Sequence, residues 1–422
     1  MKKVLLITYY WPPSGGSGVQ RWLNFAKYLS DFGIALTVYT VSNPNYAIED
    51  FSLKVPKKIE VIRQPIWEPY RIASLFSGKN TKETSAGFLD QSPSLKGKVL
   101  NYIRANYFIP DARKFWIKPS VKFLNKYLTN KGIDTIITSG PPHSLHLIGL
   151  KLQANLKVKW IADFRDPWTQ IDYFHKLPFN KFALKKHYKL EKEVASNADA
   201  ILVVGKTMQA YYAKFNNNVP IISNGFDTVI NQKNVILDKK FSLTHIGLLN
   251  ADRNSEMFWK VVKELMDENA DFKIDILIKL IGNVATEVKQ SILKYKLNNV
   301  VKLIDYLPHN RVINYQRKTQ ILLLFVNRVP SAKGILTGKI FEYLQAKRPI
   351  LAIGPKDGDL EEVIRKTSAG IVVDFDDKIA LKSEILKNYR LYKTNKLIAN
   401  SKHINDYQVR NICGKLAEVI KA

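Results

Sequence analysis

The clearest chemical arrangement in this chain is a carboxylate one turn inside a helix that opens after a glycine. It lies in residues 333–373, KGILTGKIFEYLQAKRPILAIGPKDGDLEEVIRKTSAGIVV, which read as loop, helix, buried strand, loop, helix and strand. Thr337 is the expected N-cap, and Gly338 would let the backbone approach a ligand closely. Ile340, Phe341 and Leu344 fall on one face and should be buried. The free N–H groups at the helix start favour an anion. Lys339 opens the helix, and Glu342 is within reach of whatever occupies that anion site. N–H groups for phosphate oxygens and a carboxylate for ribose hydroxyls together suit a nucleotide; an ordinary exposed helix glutamate is the alternative.

Three further groups could do chemistry in the first half. WPPSGGSG is a glycine-rich loop between a strand and a helix, with Gly15, Gly16 and Ser17 at its centre. As a dinucleotide fingerprint it is poor, because Arg21 stands where the third glycine belongs. GPPHSLHLIGLKL runs into a helix starting near His143, and KVKWIADFRDPW is a strand ending in Asp163, Arg165 and Asp166. Ligands of open α/β sheets sit at the carboxyl ends of strands, so both segments should deliver their polar groups to one edge. His143 could equally be a helix-cap residue. Asp163 and Asp166 have two residues between them and no His or Glu at ligand distance, so no metal site is expected.

The elements that position these groups alternate. KKVLLITYY, IALTVYTV and DTIITSG are apolar strands with amphipathic helices between them. A second series opens at FSLTHIGLLN and repeats through KIDILIKLIG, VVKLIDYL and QILLLFVN. Short apolar runs of this kind suit a parallel sheet covered on both faces. A chain of 422 residues suits two domains. The expected class is therefore α/β, with two Rossmann-like, doubly wound parallel-sheet domains. Expected boundaries are 1–227, a polar linker at 228–240, 241–395, and a final helical segment at 396–422.

The Glu342 helix resembles the donor half of the family 4 glycosyltransferases, retaining enzymes of the GT-B architecture whose two domains face a central cleft. Asn224-Gly225-Phe226-Asp227 is similar to that family's Asn-Gly-x-Asp hinge, and DFRDPW resembles a segment of a bacterial subset. The resemblance covers nearly the whole chain. It implies that Glu342 grips the donor ribose and that Gly247 and Arg253 hold the diphosphate, Arg253 as the second member of a basic pair whose first member is absent or replaced by Asn250. It implies that Tyr306 and Leu307 seat the nucleobase, and that Thr337, Gly338 and Lys339 line the donor site. Gly15, Gly16 and Ser17 would lie near diphosphate and acceptor, and His143, Asp163, Arg165 and Asp166 would form the catalytic group. The family's second glutamate, eight residues before Glu342, is Gly334 here. The last helix would cross back to the first domain.

The chain carries a net charge of +28, which calls for anionic partners or substrates. Residues 66–118 read as an insertion in which aromatic and basic residues interleave: Tyr102, Arg104, Tyr107, Phe108, Arg113, Lys114, Phe115, Trp116 and Lys118. Such a segment could lie on anionic lipid, with 95–118 carrying the contact, or pack as a hairpin with a solvated basic face. A nucleic-acid partner is the weakest of the three readings. Cys413 is the only cysteine, no apolar run is long enough to span a bilayer, and a cytoplasmic protein is expected, free or at the inner face of the plasma membrane.

The expected function is retaining, metal-independent transfer of a sugar from a nucleotide-sugar donor to a glycan or lipid-linked acceptor, in bacterial surface polysaccharide biosynthesis. The nucleotide sugar is the substrate and no cofactor is expected. The alternatives are a sugar-nucleotide epimerase of the same architecture and a basic glycan- or nucleic-acid-binding protein.

Overall fold

The computed structural model describes residues 1–46, 48–69, 95–227 and 235–422. Most of the expected linker (228–234) and the middle of the expected insertion (70–94) lie outside the described residues. Two compact units are present: Met1–Asp227 with Val409–Ala422, and Thr228–Gln408.

The first unit holds β1 (Lys2–Ile7), β2 (Ile34–Val41), β3 (Glu60–Gln64), β4 (Thr135–Gly140), β5 (Lys159–Phe164) and β6 (Ala200–Leu202). They form one sheet in the order β3-β2-β1-β4-β5-β6, every pair parallel. Alternation along each strand sends successive side chains to opposite faces. Val4 and Leu6 join Trp22, Phe25 and the closing helix Val409–Lys421 in one core, while Leu5 and Ile7 pack with Leu124, Leu128 and Trp160 in the other.

The second unit repeats the scheme with β7 (Phe241–Ile246), β8 (Ile276–Ile281), β9 (Val301–Ile304), β10 (Ile321–Phe325), β11 (Ile350–Ile353) and β12 (Gly370–Val373). Its order, β12-β11-β10-β7-β8-β9, is again wholly parallel. In both sheets the order reverses beside the first strand, between β1 and β4 and between β7 and β10. A crevice opens at the carboxyl ends of strands at such a switch point, and this is where open α/β sheets bind ligands. The fold is thus the expected α/β class with two Rossmann-like sheets.

The end of the chain differs from the expected single helical segment at 396–422. Helix Lys378–Lys393 ends at Thr394, a 3-10 turn covers Ile404–Tyr407, and only Val409–Lys421 forms the last α-helix. Residues 396–408 belong to the second unit.

Candidate active site

In the second unit Gly247, Arg253 and Lys339 come together at the β7–β10 switch point. Gly247 directly follows β7 with φ +99°, a backbone that L side chains rarely adopt. A Cβ there would stand 2.6 Å from Lys339 Cε, so glycine is needed for space as well as for φ. Arg253 follows in a 3-10 turn, Ala251–Arg253. Its Nη1 donates to the Leu248 carbonyl at 2.9 Å, and its Nε donates to Oδ1 of Asn327 in the loop after β10. One guanidinium therefore fastens together the two loops that diverge at the switch point.

Lys339 brings a second cation to the same place. Its Nζ lies 3.4 Å from the Leu248 carbonyl, which Arg253 also uses, and 3.5 Å from Nε2 of His245. Nδ1 of His245 faces the Leu323 carbonyl at 3.2 Å. Burial, with Lys339 and Arg253 adding to it, holds His245 well below its ordinary pKa and keeps it neutral. Burial and the Arg253 charge likewise lower the pKa of Lys339 to about 7, against a smaller opposing pull from Glu342. Two cations sharing one carbonyl is an arrangement that an oxyanion would relieve.

Helix Lys339–Ala346 carries Glu342 in its first turn and buries Ile340, Phe341, Tyr343 and Leu344, as expected. Glu342 Oε2 accepts from Nε2 of the buried Gln316 at 3.0 Å, and among the described residues no other side chain donates to this carboxylate. Thr337 does not cap the helix. Gly338 occupies the N-cap position in αR geometry with no side-chain cap, and the Lys339 N–H reaches Thr337 Oγ1 only at 3.5 Å. A Cβ on Gly338 would meet nothing within 4 Å, so its value is open space for an incoming group. Leu307 packs with Ile246, Ile281 and Val312 beside the end of β7, whereas Tyr306 stands in solvent at 80 % exposure. Of the expected nucleobase pair, only Leu307 joins a packed cluster.

In the first unit the four expected catalytic residues separate. Asp163 is wholly buried and saturated. Its Oδ1 accepts from Arg21 Nη2 at 2.9 Å, and its Oδ2 accepts from Arg21 Nε, Trp22 Nε1 and Ser139 Oγ. Arg21 also donates to the carbonyls of Ile222 and Ser223 and to Asn224 Oδ1. Asp163 is therefore a positioning residue that ties the first helix to β5 and to the Asn224 turn. It is not a group open to substrate.

His143 does not cap its helix through its side chain. It precedes helix Ser144–Leu156 and stacks on Trp168 with centroids 4.9 Å apart and planes at 4°. Its Nδ1 points at Gly140, 2.9 Å from where a Cβ would be, and has no hydrogen-bond partner. Burial, then His146 and Arg165, press its pKa well below the ordinary value. Burial keeps the ring neutral.

Arg165 and Asp166 do stay together near the surface. Arg165 Nε pairs with Asp166 Oδ2 at 3.2 Å, its Nη1 donates to the Gly18 carbonyl, and its guanidinium sits 5.8 Å from the Tyr10 ring. The glycine loop beside them is built as expected. Gly15 N–H donates to the Ile48 carbonyl, and Gly16, at φ +79°, turns directly into helix Ser17–Tyr28. The side chain of Ser17 lies outside the described residues. With Asp163 enclosed by four donors, it and Asp166 do not form an acidic pair.

Sequence reading missed Arg21, Trp22, Ser139, His245, Gln316 and Asn327. Only Arg21 carried a signal, as a charged residue where a glycine belongs in a fingerprint.

No protein-family model and no curated protein matches the chain. Solved structures do. It is similar to a glycosyltransferase from Rickettsia africae ESF-5, with a TM-score of 0.64 and 14% identity over 100% of this chain and 98% of that one. Anabaena Alr3699/HepE, solved in complex with UDP and glucose, gives 0.62 and 14% over the whole of both chains. A putative UDP-N-acetylglucosamine 2-epimerase from Listeria monocytogenes gives 0.55 and 12%, over 100% and 96%. Identities this low establish the fold, which is GT-B.

The Lys339 environment gives a pH prediction. The amine is charged below about pH 7 and neutral above it, and a bound diphosphate would favour the charged form. Binding above that pH must therefore take up a proton. Diphosphate affinity should fall from about pH 7 towards about pH 9 by up to about tenfold per pH unit, beyond the phosphate's own titration near pH 6. Calorimetry in two buffers of different ionisation enthalpy should show the proton uptake, and Lys339→Met should abolish it.

Proposed function

We propose that the chain is a retaining, metal-independent glycosyltransferase that uses a nucleotide-sugar donor and a glycan or lipid-linked acceptor in surface polysaccharide biosynthesis, at the cytoplasmic side of a membrane. The observation that carries this reading is the convergence of Arg253 and Lys339 on the Leu248 carbonyl, one helical turn from Glu342. A diphosphate between the two cations and a ribose at Glu342 would use all three groups. Solved structures with this fold include one holding UDP and glucose, which supports the same donor class.

The proposed reaction is a same-face displacement of the diphosphate. The bond between the anomeric carbon and the diphosphate oxygen breaks, and Arg253, Lys339 and nearby N–H groups take up the growing charge. The acceptor oxygen bonds to the same face of the anomeric carbon, and its proton passes to the departing phosphate. The nucleotide sugar is consumed as substrate, and no cofactor enters the balance.

The epimerase likeness supports a second reading, but that chemistry needs acid and base carboxylates, and Asp163 is enclosed by its donors. One assay separates the two. Incubation with a panel of nucleotide sugars and glycan or lipid-linked acceptors in EDTA should release nucleoside diphosphate and give a product with the donor's anomeric configuration by NMR. A nucleotide sugar inverted at a ring carbon, with its diphosphate intact, would establish the epimerase. Turnover lost in EDTA and restored by magnesium or manganese would overturn metal independence.

A further inference from the structure

One face of the first unit combines exposed apolar side chains with positive charge. Helix Leu95–Tyr107 leaves Val99, Leu100, Ile103 and Tyr107 exposed. Helix Lys181–Asn197 opens with Phe182, which is 72 % exposed. Asn106 fastens these two elements together. Its Nδ2 donates to the Pro178 carbonyl at 2.9 Å, and its Oδ1 accepts from the Asn180 N–H at 2.7 Å. Exposed Trp67 meets Phe115 edge-on at 4.6 Å, and Lys114 lies over both Phe115 and Phe108. Residues 97–110 and 173–190 together hold seven lysine or arginine residues and no acidic one.

We propose that this surface, formed by helix Leu95–Tyr107, the Trp67–Phe115 contact and the first turns of helix Lys181–Asn197, docks on an anionic lipid bilayer. The proposal does not rest on the sugar-transfer reading. Aliphatic groups such as Leu100 and Ile103 have no use for a nucleobase or a phosphate, but they partition into the boundary between headgroups and acyl chains. Aromatic rings settle at the same depth, and lysines around them meet anionic headgroups. A second copy of this chain would set like charge against like. Burial and the neighbouring Lys186 lower the pKa of Lys114, so two cations crowd here and anionic headgroups would relieve them.

The structure also narrows the expected membrane segment. Trp116 is buried and stacked on Tyr39 at 4.9 Å, and Arg113 is paired with buried Glu68 at 3.0 Å. Both belong to the core side of the segment. The contribution of helix Lys181–Asn197 comes from outside it altogether.

The test is co-sedimentation of the full chain with phosphatidylcholine vesicles and with vesicles of phosphatidylcholine and phosphatidylglycerol. The protein should pellet with the anionic vesicles only, and less as salt rises. Phe182→Ser combined with Lys185→Glu and Lys186→Glu should weaken that binding by at least about tenfold. The same charge change at exposed Lys273 and Lys289 of the second unit should leave vesicle binding nearly unchanged. Recovery in the supernatant with anionic vesicles at low salt overturns the proposal. So does an equal loss in both variants, which would mean bulk charge, or retention on single-stranded oligonucleotide without vesicle binding.

Discussion

Replacing Asp163 by alanine should cost about 3–5 kcal/mol of folding stability, because it leaves the Arg21 guanidinium buried without its counter-charge. Arg21 would keep the carbonyls of Ile222 and Ser223 and the amide oxygen of Asn224 as acceptors, so its hydrogen bonds are only partly lost. The charge itself has nowhere to go, since the Arg21 side chain is 1 % exposed. Trp22 Nε1 and Ser139 Oγ would lose their acceptor at the same time. A lost charge-assisted bond of this kind costs roughly 1.5–3 kcal/mol, so the total is dominated by the ion pair. Urea unfolding followed by tryptophan fluorescence should show an earlier transition for the first unit. A surface carboxylate that acted on substrate would behave oppositely: Asp163→Ala would keep the transition midpoint and lose only turnover.

Arg253→Ala should lower turnover by about two to three orders of magnitude, which is the cost of removing one donor from an oxyanion in its transition state. Donor affinity should fall less, because negative charge on the diphosphate grows as the glycosidic bond breaks. Arg253→Lys keeps the charge, but it cannot reach both the Leu248 carbonyl and Asn327 with one planar fork, so it should recover only part of the rate. Steady-state kinetics at varied donor concentration separates the two parameters. A change confined to KM would mean that Arg253 holds ground state and transition state equally.

Much of the fold was legible because the apolar patterning of strands and helices is a local property. Short runs such as ILLLF in β10 announce a strand buried on both faces without reference to any partner. The Glu342 helix was legible for the same reason: its buried face and its first-turn carboxylate lie within a few residues of each other. Partnerships across the sheet were not. Arg21 and Asp163 are 142 residues apart, and nothing in either segment states that the charged strand end will be sealed by the first helix. Lys339 was named from its place at a helix start, but its contact with Leu248 and His245 spans more than 90 residues. Thr337 had the residue type of an N-cap, yet the αR backbone of Gly338 moved the helix start past it. Trp116 shared the spacing of its exposed neighbours, and only the fold turns it onto Tyr39.

The central claim is that Glu342 accepts hydrogen bonds from a ribose whose diphosphate lies between Arg253 and Lys339. Isothermal titration of nucleoside diphosphates into the wild-type chain and into Glu342→Gln tests it most directly. Glutamine keeps the shape and can still accept from Gln316, so circular dichroism should be unchanged. At least one nucleoside diphosphate should bind the wild type, and the variant should bind it about 10- to 100-fold more weakly, which is roughly 1.5–3 kcal/mol for charge-assisted acceptors. Equal affinity in the two proteins, or no binding of any nucleoside diphosphate to the wild type, would contradict the account.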